Sequence, residues 1–307
     1  MKPALKSAFA AVILLLSFAA PVAAGPLEDA TAADDRGDYA TALRLLRELA
    51  EQGNARAQFK LGGMYDDGRG VAQNDAEALK WYRLAADQGY GNAQYNLALM
   101  YGKGQGVPQN YLEAAKWFGK AAEQGDADAQ YNLGVLYFAG QGVARNDVEA
   151  AKWFRKAAEQ GEAVAQYNLG VMHDDGRGVA QNYAEALKWY LKAAEQGYAL
   201  AQNNLGLVFD IGKAVPQDYA EAVKWIRKAA EQGDAEAQSH LGAMYAQGHG
   251  VQRDYIRAYT WFNLAAMAGS QRAENNRDIA AKHMTPAEIA EAQKLARESK
   301  TNKQLPR

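Results

Sequence analysis

Residues 125–160 read GDADAQYNLGVLYFAGQGVARNDVEAAKWFRKAAEQ, and this stretch decides the fold. It is the third of six copies of one pattern that run from Gly53 to Ala268 with a period of 36 residues, without insertion or deletion. All 6 tryptophans of the chain occupy one position of the pattern: Trp81, Trp117, Trp153, Trp189, Trp225 and Trp261. A fixed period of this length is typical of stacked repeats, in which each unit buries its apolar face on its neighbours. The sequence therefore predicts a solenoid of six units.

A first helix is predicted in each unit by the spacing of its apolar residues. In the third unit the positions i, i+4, i+7 and i+8 hold Ala129, Leu133, Leu136 and Tyr137. This spacing places all of them on one helix face. The turn Gly140-Gln141-Gly142 then ends the helix, since glycine adopts a positive φ at little cost. In the fifth unit Ala214 replaces the second turn glycine, and a positive φ there would cost ~1 kcal/mol.

A second helix is predicted after the turn. Asn146, with Glu149 three residues later, indicates an N-cap with a reciprocal capping box. Outside the six units, residues 38–52 match a second helix without its first helix and predict an N-terminal capping half-repeat. Residues 269–299 predict two C-terminal capping helices. The stretch 285–288, Thr-Pro-Ala-Glu, has the form of a capping box with proline at the first helical position.

The remaining segments lie at the chain ends. Lys2 and Lys6 precede an apolar run over residues 8–20, and small residues follow it. This order is typical of a cleaved export signal, here residues 1–24. The run is shorter than the ~20 apolar residues that span a membrane, so no membrane insertion is expected after cleavage. Residues 25–37 are small and acidic and are expected to be flexible, and residues 300–307 are expected to form a frayed tail.

Composition and motifs argue against several classes of function. The chain has 0 cysteines, which excludes disulfides, thiolate catalysis and thiolate metal sites. A formal net charge of -2 argues against a nucleic-acid partner. No serine stands in the G-x-S-x-G or S-x-x-K setting of a nucleophile. Asp66-Asp67 and His173-Asp174-Asp175 lack the spacing of calcium or zinc ligands. We therefore expect no enzyme activity, no cofactor and no metal.

The repeat resembles the Sel-one-like repeat (SLR) family, a relative of the tetratricopeptide repeats. The resemblance rests on the motif A-x-A-Q-x-x-L-G-x-x-Y at residues 127–137, and on G-x-G-V-x-x-[ND] and A-A-E-Q-G further along the unit. Family members usually fold as right-handed α-solenoids and act as interaction scaffolds. Several exported bacterial members serve envelope assembly, polysaccharide secretion or signalling to membrane sensors. The resemblance thus implies an all-α solenoid, a periplasmic or secreted location and a protein partner.

A second stripe of the first helices varies from unit to unit. In the third unit its members are Asp128, Tyr131, Val135, Phe138 and Ala139. In related solenoids this face lines the concave groove. Stable stacking requires the same buried residue types in every unit, whereas recognition of a specific ligand requires surface residues that differ between units. The predicted binding residues of units two to four are Tyr95, Leu99, Tyr131, Val135, Phe138, Tyr167 and Val171.

The sequence leaves several functions open. The favoured one is a non-catalytic exported scaffold or adaptor that binds a segment, loop or helix of an envelope protein in its groove. It would regulate a membrane sensor or serve envelope or polysaccharide assembly. The alternative is carbohydrate or cell-wall binding through a ladder of the groove tyrosines, although these rings could equally pack between adjacent helices. A hydrolase of the β-lactamase kind, linked to cysteine-rich members of the family, is disfavoured because the cysteines are missing.

Overall fold

The computed structural model describes residues 25–302, and all regular secondary structure in this range is α-helical. In chain order the helices are α1 Pro26–Asp35, α2 Tyr39–Glu51, α3 Ala55–Asp67, α4 Asp75–Asp87, α5 Gly91–Lys103, α6 Tyr111–Glu123, α7 Ala127–Ala139, α8 Asp147–Glu159, α9 Ala163–Asp175, α10 Tyr183–Glu195, α11 Ala199–Ile211, α12 Tyr219–Glu231, α13 Ala235–Gln247, α14 Tyr255–Met267, α15 Gln271–Ala281 and α16 Pro286–Asn302. Units one to six contribute the pairs from α3 and α4 to α13 and α14. Each pair packs together, and each second helix packs on the next first helix. The chain is an α-solenoid, which confirms the prediction from the period.

The predicted inward stripe of the first helices forms the core. Ala129, Leu133 and Leu136 are buried, and Tyr137 is half-buried. Gly134, beside Leu133, lets the ring of Phe154 approach, because a Cβ added at this glycine would lie 2.7 Å from the ring. The Leu-Gly pair of the repeat therefore has a packing reason: the leucine fills the core and the glycine admits the aromatic side chain of the second helix.

The glutamine that recurs with the period connects neighbouring units. Gln130 donates from Nε2 to the carbonyl of Ala122 at 3.1 Å, and its Oε1 accepts from Gln160 at 2.8 Å. The same two bonds recur at Gln58, Gln94, Gln166 and Gln202. At Gln238 the Oε1 atom has no partner within residues 25–302, because Ala268 stands where other units have the second glutamine. A buried amide needs partners for both of its ends, which explains the constancy of this position.

The turn glycines combine two backbone requirements. Gly142 has a φ of 70°, and Ala214 in the fifth unit has a φ of 68°, so the positive φ expected for alanine at this position is confirmed. In addition, a Cβ at Gly142 would overlap the backbone of Tyr111, where the second helix of the preceding unit begins. Glycine is therefore favoured at this turn for two reasons: it adopts the positive φ, and it allows the preceding unit to approach closely.

The predicted N-caps of the second helices are present, but the prediction of a reciprocal capping box at Asn146 and Glu149 is wrong. Asn146 accepts from the amide of Glu149 at 3.1 Å. The amide of Asn146 donates to the carbonyl of Tyr137 at 2.9 Å, so the glutamate side chain pairs instead with a lysine three residues on. A true capping box opens α16, where Thr285 and Glu288 bond each other's amide groups at 2.6 and 3.3 Å.

The expectation of a flexible segment at residues 25–37 is wrong, because α1 spans most of it. Ala30 and Ala33 are buried, and Asp34 accepts from Arg69 at 2.6 Å. The N-terminal cap therefore consists of α2, predicted as a half-repeat, with the additional helix α1 packed on it. A ten-residue helix of small and acidic residues has little stability of its own. Its order comes from packing on α2, which local composition does not report.

At the other end, α15 and α16 both pack on α14. Thr260 of α14 donates to the carbonyl of Ala292 at 3.4 Å, and Gln293 donates to the hydroxyl of Tyr259 at 3.2 Å. Helix α16 reaches Asn302, inside the segment predicted as a frayed tail. The predicted export signal lies outside the described residues. Within residues 25–302 no helix is both long enough and apolar enough to cross a membrane.

Candidate functional site

The predicted binding residues lie on α5, α7 and α9, and all of them are half-buried. We call the surface they form with the equivalent positions of the other first helices the groove face. Leu99 and Val135, from consecutive units, line one pocket on this face. The structure thus brings the variable stripe together across unit boundaries, while the constant stripe of the same helices is buried in the core.

The predicted tyrosines pack on the second helix of their own unit. The ring pairs are Tyr95 with Phe118 at 5.7 Å, Tyr131 with Phe154 at 5.8 Å and Tyr167 with Tyr190 at 6.0 Å between centroids. Among the described residues no ring contact joins two of the groove tyrosines to each other. Burial raises the pKa of Tyr95 and of Tyr167, so both hydroxyl groups stay neutral at physiological pH. Packing between helices therefore explains much of why tyrosine recurs at this position.

Pockets open on the groove face at equivalent places of the repeat. The Gly102 pocket, between units two and three, has a volume of about 240 Å³, and the Asp174 pocket, between units four and five, about 180 Å³. The Ala246 pocket, between unit six and α15, is the largest of the three at about 380 Å³. The second helices contribute Phe118, Tyr190 and Phe262 at equivalent positions of these pockets. Similar recesses therefore recur along the solenoid, and they differ in volume and in the variable residues that line them.

One position of the groove face differs strongly among the units that form these recesses. From unit two to unit six it holds Gly102, Phe138, Asp174, Asp210 and Ala246. Phe138 places its ring 6.4 Å from the ring of Phe154, beneath the guanidinium of Arg177 at 4.2 Å. Asp174 forms an ion pair with Lys213 at 2.6 Å. Phe138, which we predicted to bind a partner, therefore occupies the recess of its own unit.

The sequence analysis missed the apolar residues that unit five adds to the groove face. Leu200 is 40% exposed, Ile211 is 62% exposed, and Leu207 is half-buried. Leu207 and Ile211 line the Asp174 pocket. Leu207 occupies the same position as Val171 in the preceding unit, and this equivalence is the signal that could have found it.

Two histidines replace other residues of the repeat. His173 stands where four of the other units have tyrosine, and its Nε2 lies 3.4 Å from Arg155. His240 contacts the side-chain oxygen of Asn203 through Nδ1 at 3.0 Å. Burial lowers the pKa of both imidazoles, and Arg272 lowers that of His240 further. Both rings are therefore neutral at physiological pH. Within residues 25–302 no group of three or more His, Asp or Glu side chains could hold a metal ion.

The face formed by the second helices differs from the groove face because it repeats. Lysine ammonium groups lie over tryptophan rings at 3.8 to 4.5 Å in the pairs Lys120 with Trp117, Lys156 with Trp153, Lys192 with Trp189 and Lys228 with Trp225. Ion pairs such as Lys152 with Glu149 and Lys188 with Glu185 recur beside them. Units two to five therefore offer the same lysine–tryptophan pair on this side.

The helix pairs, the constant core and the variable groove face define an α-solenoid of the tetratricopeptide-like class. The family model described as Sel1 repeat matches residues 34–54, 55–90, 91–126, 127–162, 163–198, 199–234 and 235–270. These matches cover most of the chain, which therefore belongs to the Sel1 repeat family. This confirms the resemblance drawn from the repeat motif. Sel1 repeat proteins generally mediate protein–protein interactions and are typically non-catalytic scaffolds.

Solved structures of the same family are similar to this chain. A Sel1 repeat protein from Oxalobacter formigenes is 33% identical, with a TM-score of 0.69 over 81% of this chain and 99% of that chain. A protective antigen of uropathogenic Escherichia coli with an SLR fold is 29% identical, with a TM-score of 0.47 over 88% of this chain and 83% of that chain. No curated protein matches the sequence.

Proposed function

We propose that this protein is a non-catalytic scaffold that binds a protein partner on the groove face. The observation that carries this proposal is the contrast between surfaces. The core leucines repeat in every unit and the lysine–tryptophan pairs of the second helices repeat in units two to five, whereas the groove face changes residue by residue and holds the open pockets. A partner that contacts unequal units is held in a single register along the solenoid, which a uniform surface could not achieve.

The chemistry of the groove face suits a peptide segment or a helix. Its exposed apolar residues include Leu200 and Ile211, and Ile211 lines the Asp174 pocket together with the ring of Tyr190. Apolar anchors that enter such pockets contribute most of the binding energy at protein interfaces. Polar groups around them, such as the Asp174–Lys213 ion pair, supply hydrogen bonds and charge that select the partner.

Several features support binding in preference to catalysis. The carboxylate of Asp174 is engaged with Lys213, and His240 is engaged with the amide of Asn203. The glutamates that follow the N-caps pair with lysines on exposed helix surface. These contacts give each of the named groups a structural partner, and none of them is a paired acid and base in a pocket.

We extend the proposal to an exported adaptor with an envelope partner, which regulates a membrane sensor or serves envelope or polysaccharide assembly. Support for export comes from the sequence of residues 1–24, with its basic start, apolar run and small residues. Fractionation of the native host tests this part. Mature protein that begins at Gly25 and is recovered outside the cytoplasm is expected, whereas full-length protein in the cytoplasm would contradict export.

Carbohydrate binding receives less support. Each groove tyrosine packs against a ring of the second helix, so the rings do not form a continuous exposed ladder. A sugar needs an exposed ring face on which to stack, and that area is reduced by this packing.

Site-specific photo-crosslinking in the native host tests the groove proposal. A photoreactive residue replaces Ile211, which is 62% exposed on the groove face. The matched control replaces Lys188, whose side chain is 56% exposed on the second-helix face. Covalent protein adducts at position 211 and not at position 188 are expected. Adducts at position 188 alone would place the partner on the opposite face.

A further inference from the structure

Unit three holds an aromatic ring at the place that unit two leaves open. Phe138 stands 36 residues after Gly102 in the repeat. Its ring packs on Phe154, and Phe154 is the repeat equivalent of Phe118, which lines the Gly102 pocket. The two interfaces between units therefore have a phenylalanine of the second helix in common, and the glycine of one is replaced by a phenylalanine in the other. The ring of Phe138 therefore indicates the kind of side chain that the Gly102 pocket can accommodate.

The rim of the filled recess holds a cation above the ring. The guanidinium carbon of Arg177 lies 4.2 Å from the centroid of Phe138, and Asp147 fixes this arginine at 3.3 Å. At the open recess the equivalent rim residues are Gln141 and Tyr111. The cation there is Lys103, which lines the same pocket. A cation over a ring face favours aromatic over aliphatic side chains by about 0.5–1 kcal/mol at exposed sites.

The space is sufficient for a ring. The Gly102 pocket has a volume of about 240 Å³, and a cavity of ~150 Å³ is enough to bind benzene. A Cβ added at Gly102 would find its nearest neighbour, Ala114, at an ordinary 3.8 Å. Leu99 and Val135 make the walls apolar, so a ring that enters the pocket gains from burial of its surface.

We infer that the Gly102 pocket receives an aromatic side chain, with phenylalanine preferred, from the protein partner. This inference rests on the proposed function, because the partner on the groove face supplies the side chain. A second copy of this chain is a poor donor. Within residues 25–302 no phenylalanine or tryptophan is exposed, and the exposed tyrosines, Tyr39 and Tyr183, are only 37% and 38% exposed.

The first experiment needs no partner. N-acetyl-phenylalanine amide and N-acetyl-leucine amide are titrated into the protein, and the NMR signals of the methyl groups of Leu99 and Val135 are followed. The phenylalanine probe is expected to shift these signals and to bind roughly threefold more tightly than the leucine probe, because the Lys103 side chain at this pocket can interact with a bound ring. Equal binding of the two probes, or the absence of shifts, overturns the inference.

Matched variants then exchange the two interfaces. Gly102→Phe fills the open recess as Phe138 fills its own, so probe binding is lost while the melting temperature is kept or raised. Phe138→Gly empties the second recess, and a second probe molecule is expected to bind near Val171. Circular dichroism confirms that both variants are folded. Retained probe binding at Leu99 in Gly102→Phe overturns the inference.

The photo-crosslink at position 211 separates this inference from the proposed function. In Gly102→Phe the adduct is expected to fall at least tenfold in yield. An undiminished adduct in this variant overturns the aromatic anchor and leaves the groove proposal standing. No adduct in the otherwise unchanged protein, despite normal probe binding, defeats the proposed function and with it the donor of the side chain. Self-association that Gly102→Phe abolishes would make a second copy the occupant and overturn a separate partner.

Discussion

On the buried side of the first helices, one position holds leucine in every unit: Leu61, Leu97, Leu133, Leu169, Leu205 and Leu241. These leucines are at most 4% exposed. On the groove face of the same helices, one position changes from Gly102 through Phe138 to Asp174. Close packing tolerates little change of volume or polarity, whereas the groove position faces a recess whose content is free to change. The difference teaches that stability and recognition are assigned to opposite sides of the same helices.

The largest expected effect comes from breaking the phase of the repeat. Deletion of residues 125–160 joins matching interfaces, because the next unit presents the same core residues. Deletion of residues 125–142 alone leaves apolar faces without partners. We expect the first variant to keep a cooperative thermal transition by circular dichroism and the second to lose it. Loss of the cooperative transition in both variants would contradict the stacked-unit account.

A single substitution on each side of the first helices sharpens the comparison. Leu133→Ala should lower the free energy of unfolding by about 2–5 kcal/mol, because it leaves a cavity in the core. Ile211→Ala, at a groove position that is 62% exposed, should change it by less than about 0.5 kcal/mol. Chemical denaturation measures both values. Similar losses in the two variants would mean that the groove face also carries the stability of the stack.

The glutamine network gives a smaller effect with a predicted sign. Gln160→Ala removes the partner of Gln130 Oε1 and should cost about 1–2 kcal/mol. Ala268→Gln places the missing partner beside Gln238, whose Oε1 atom is unpaired in the described structure. It should stabilise the protein by about 1 kcal/mol. Calorimetry of the two variants checks this, and destabilisation by Ala268→Gln would show that α15 has displaced the network there.

The smallest effect is expected in the turn of unit five. Ala214→Gly relieves an alanine at a φ of 68° and should be neutral or stabilising by up to ~1 kcal/mol. Gly142→Ala should be clearly destabilising, since it adds the same strain and an overlap with the backbone of Tyr111. Melting temperatures compare the two. A clear loss in Ala214→Gly would mean that unit five depends on its alanine.

The sequence predicted the parts of this structure that depend on local pattern. The period and the spacing of Ala129, Leu133 and Leu136 predicted the helices and their buried face, and the paired glycines predicted the positive φ. The contact between Gly142 and the preceding unit was not predictable, because it depends on how units stack. The same holds for α1, whose order comes from its packing on α2.

The candidate site was predicted only in part, for a similar reason. The helical period placed Val135 and Val171 on the groove face, but it could not orient the ring of Tyr131 against Phe154. Nor could it show that Phe138 fills a recess that Gly102 leaves open. Such contacts join residues of different helices and depend on side-chain direction, which a one-dimensional pattern does not contain.

The most direct test measures partner affinity after matched changes to the two faces. The groove variant is Leu200→Ser with Ile211→Ser, chosen because both side chains are exposed and the half-buried tyrosines also hold helices together. The control is Lys152→Ser with Lys188→Ser on the second-helix face, where surface ion pairs contribute little. Circular dichroism first establishes that both variants keep the helicity and melting temperature of the unchanged protein.

Binding of the partner identified by crosslinking is then measured by calorimetry. Two apolar contacts of about 1 kcal/mol each should together weaken binding by roughly thirtyfold in the groove variant. The control should stay within about twofold of the unchanged protein. Normal affinity in the folded groove variant together with lost affinity in the lysine variant would contradict the assignment of recognition to the groove face.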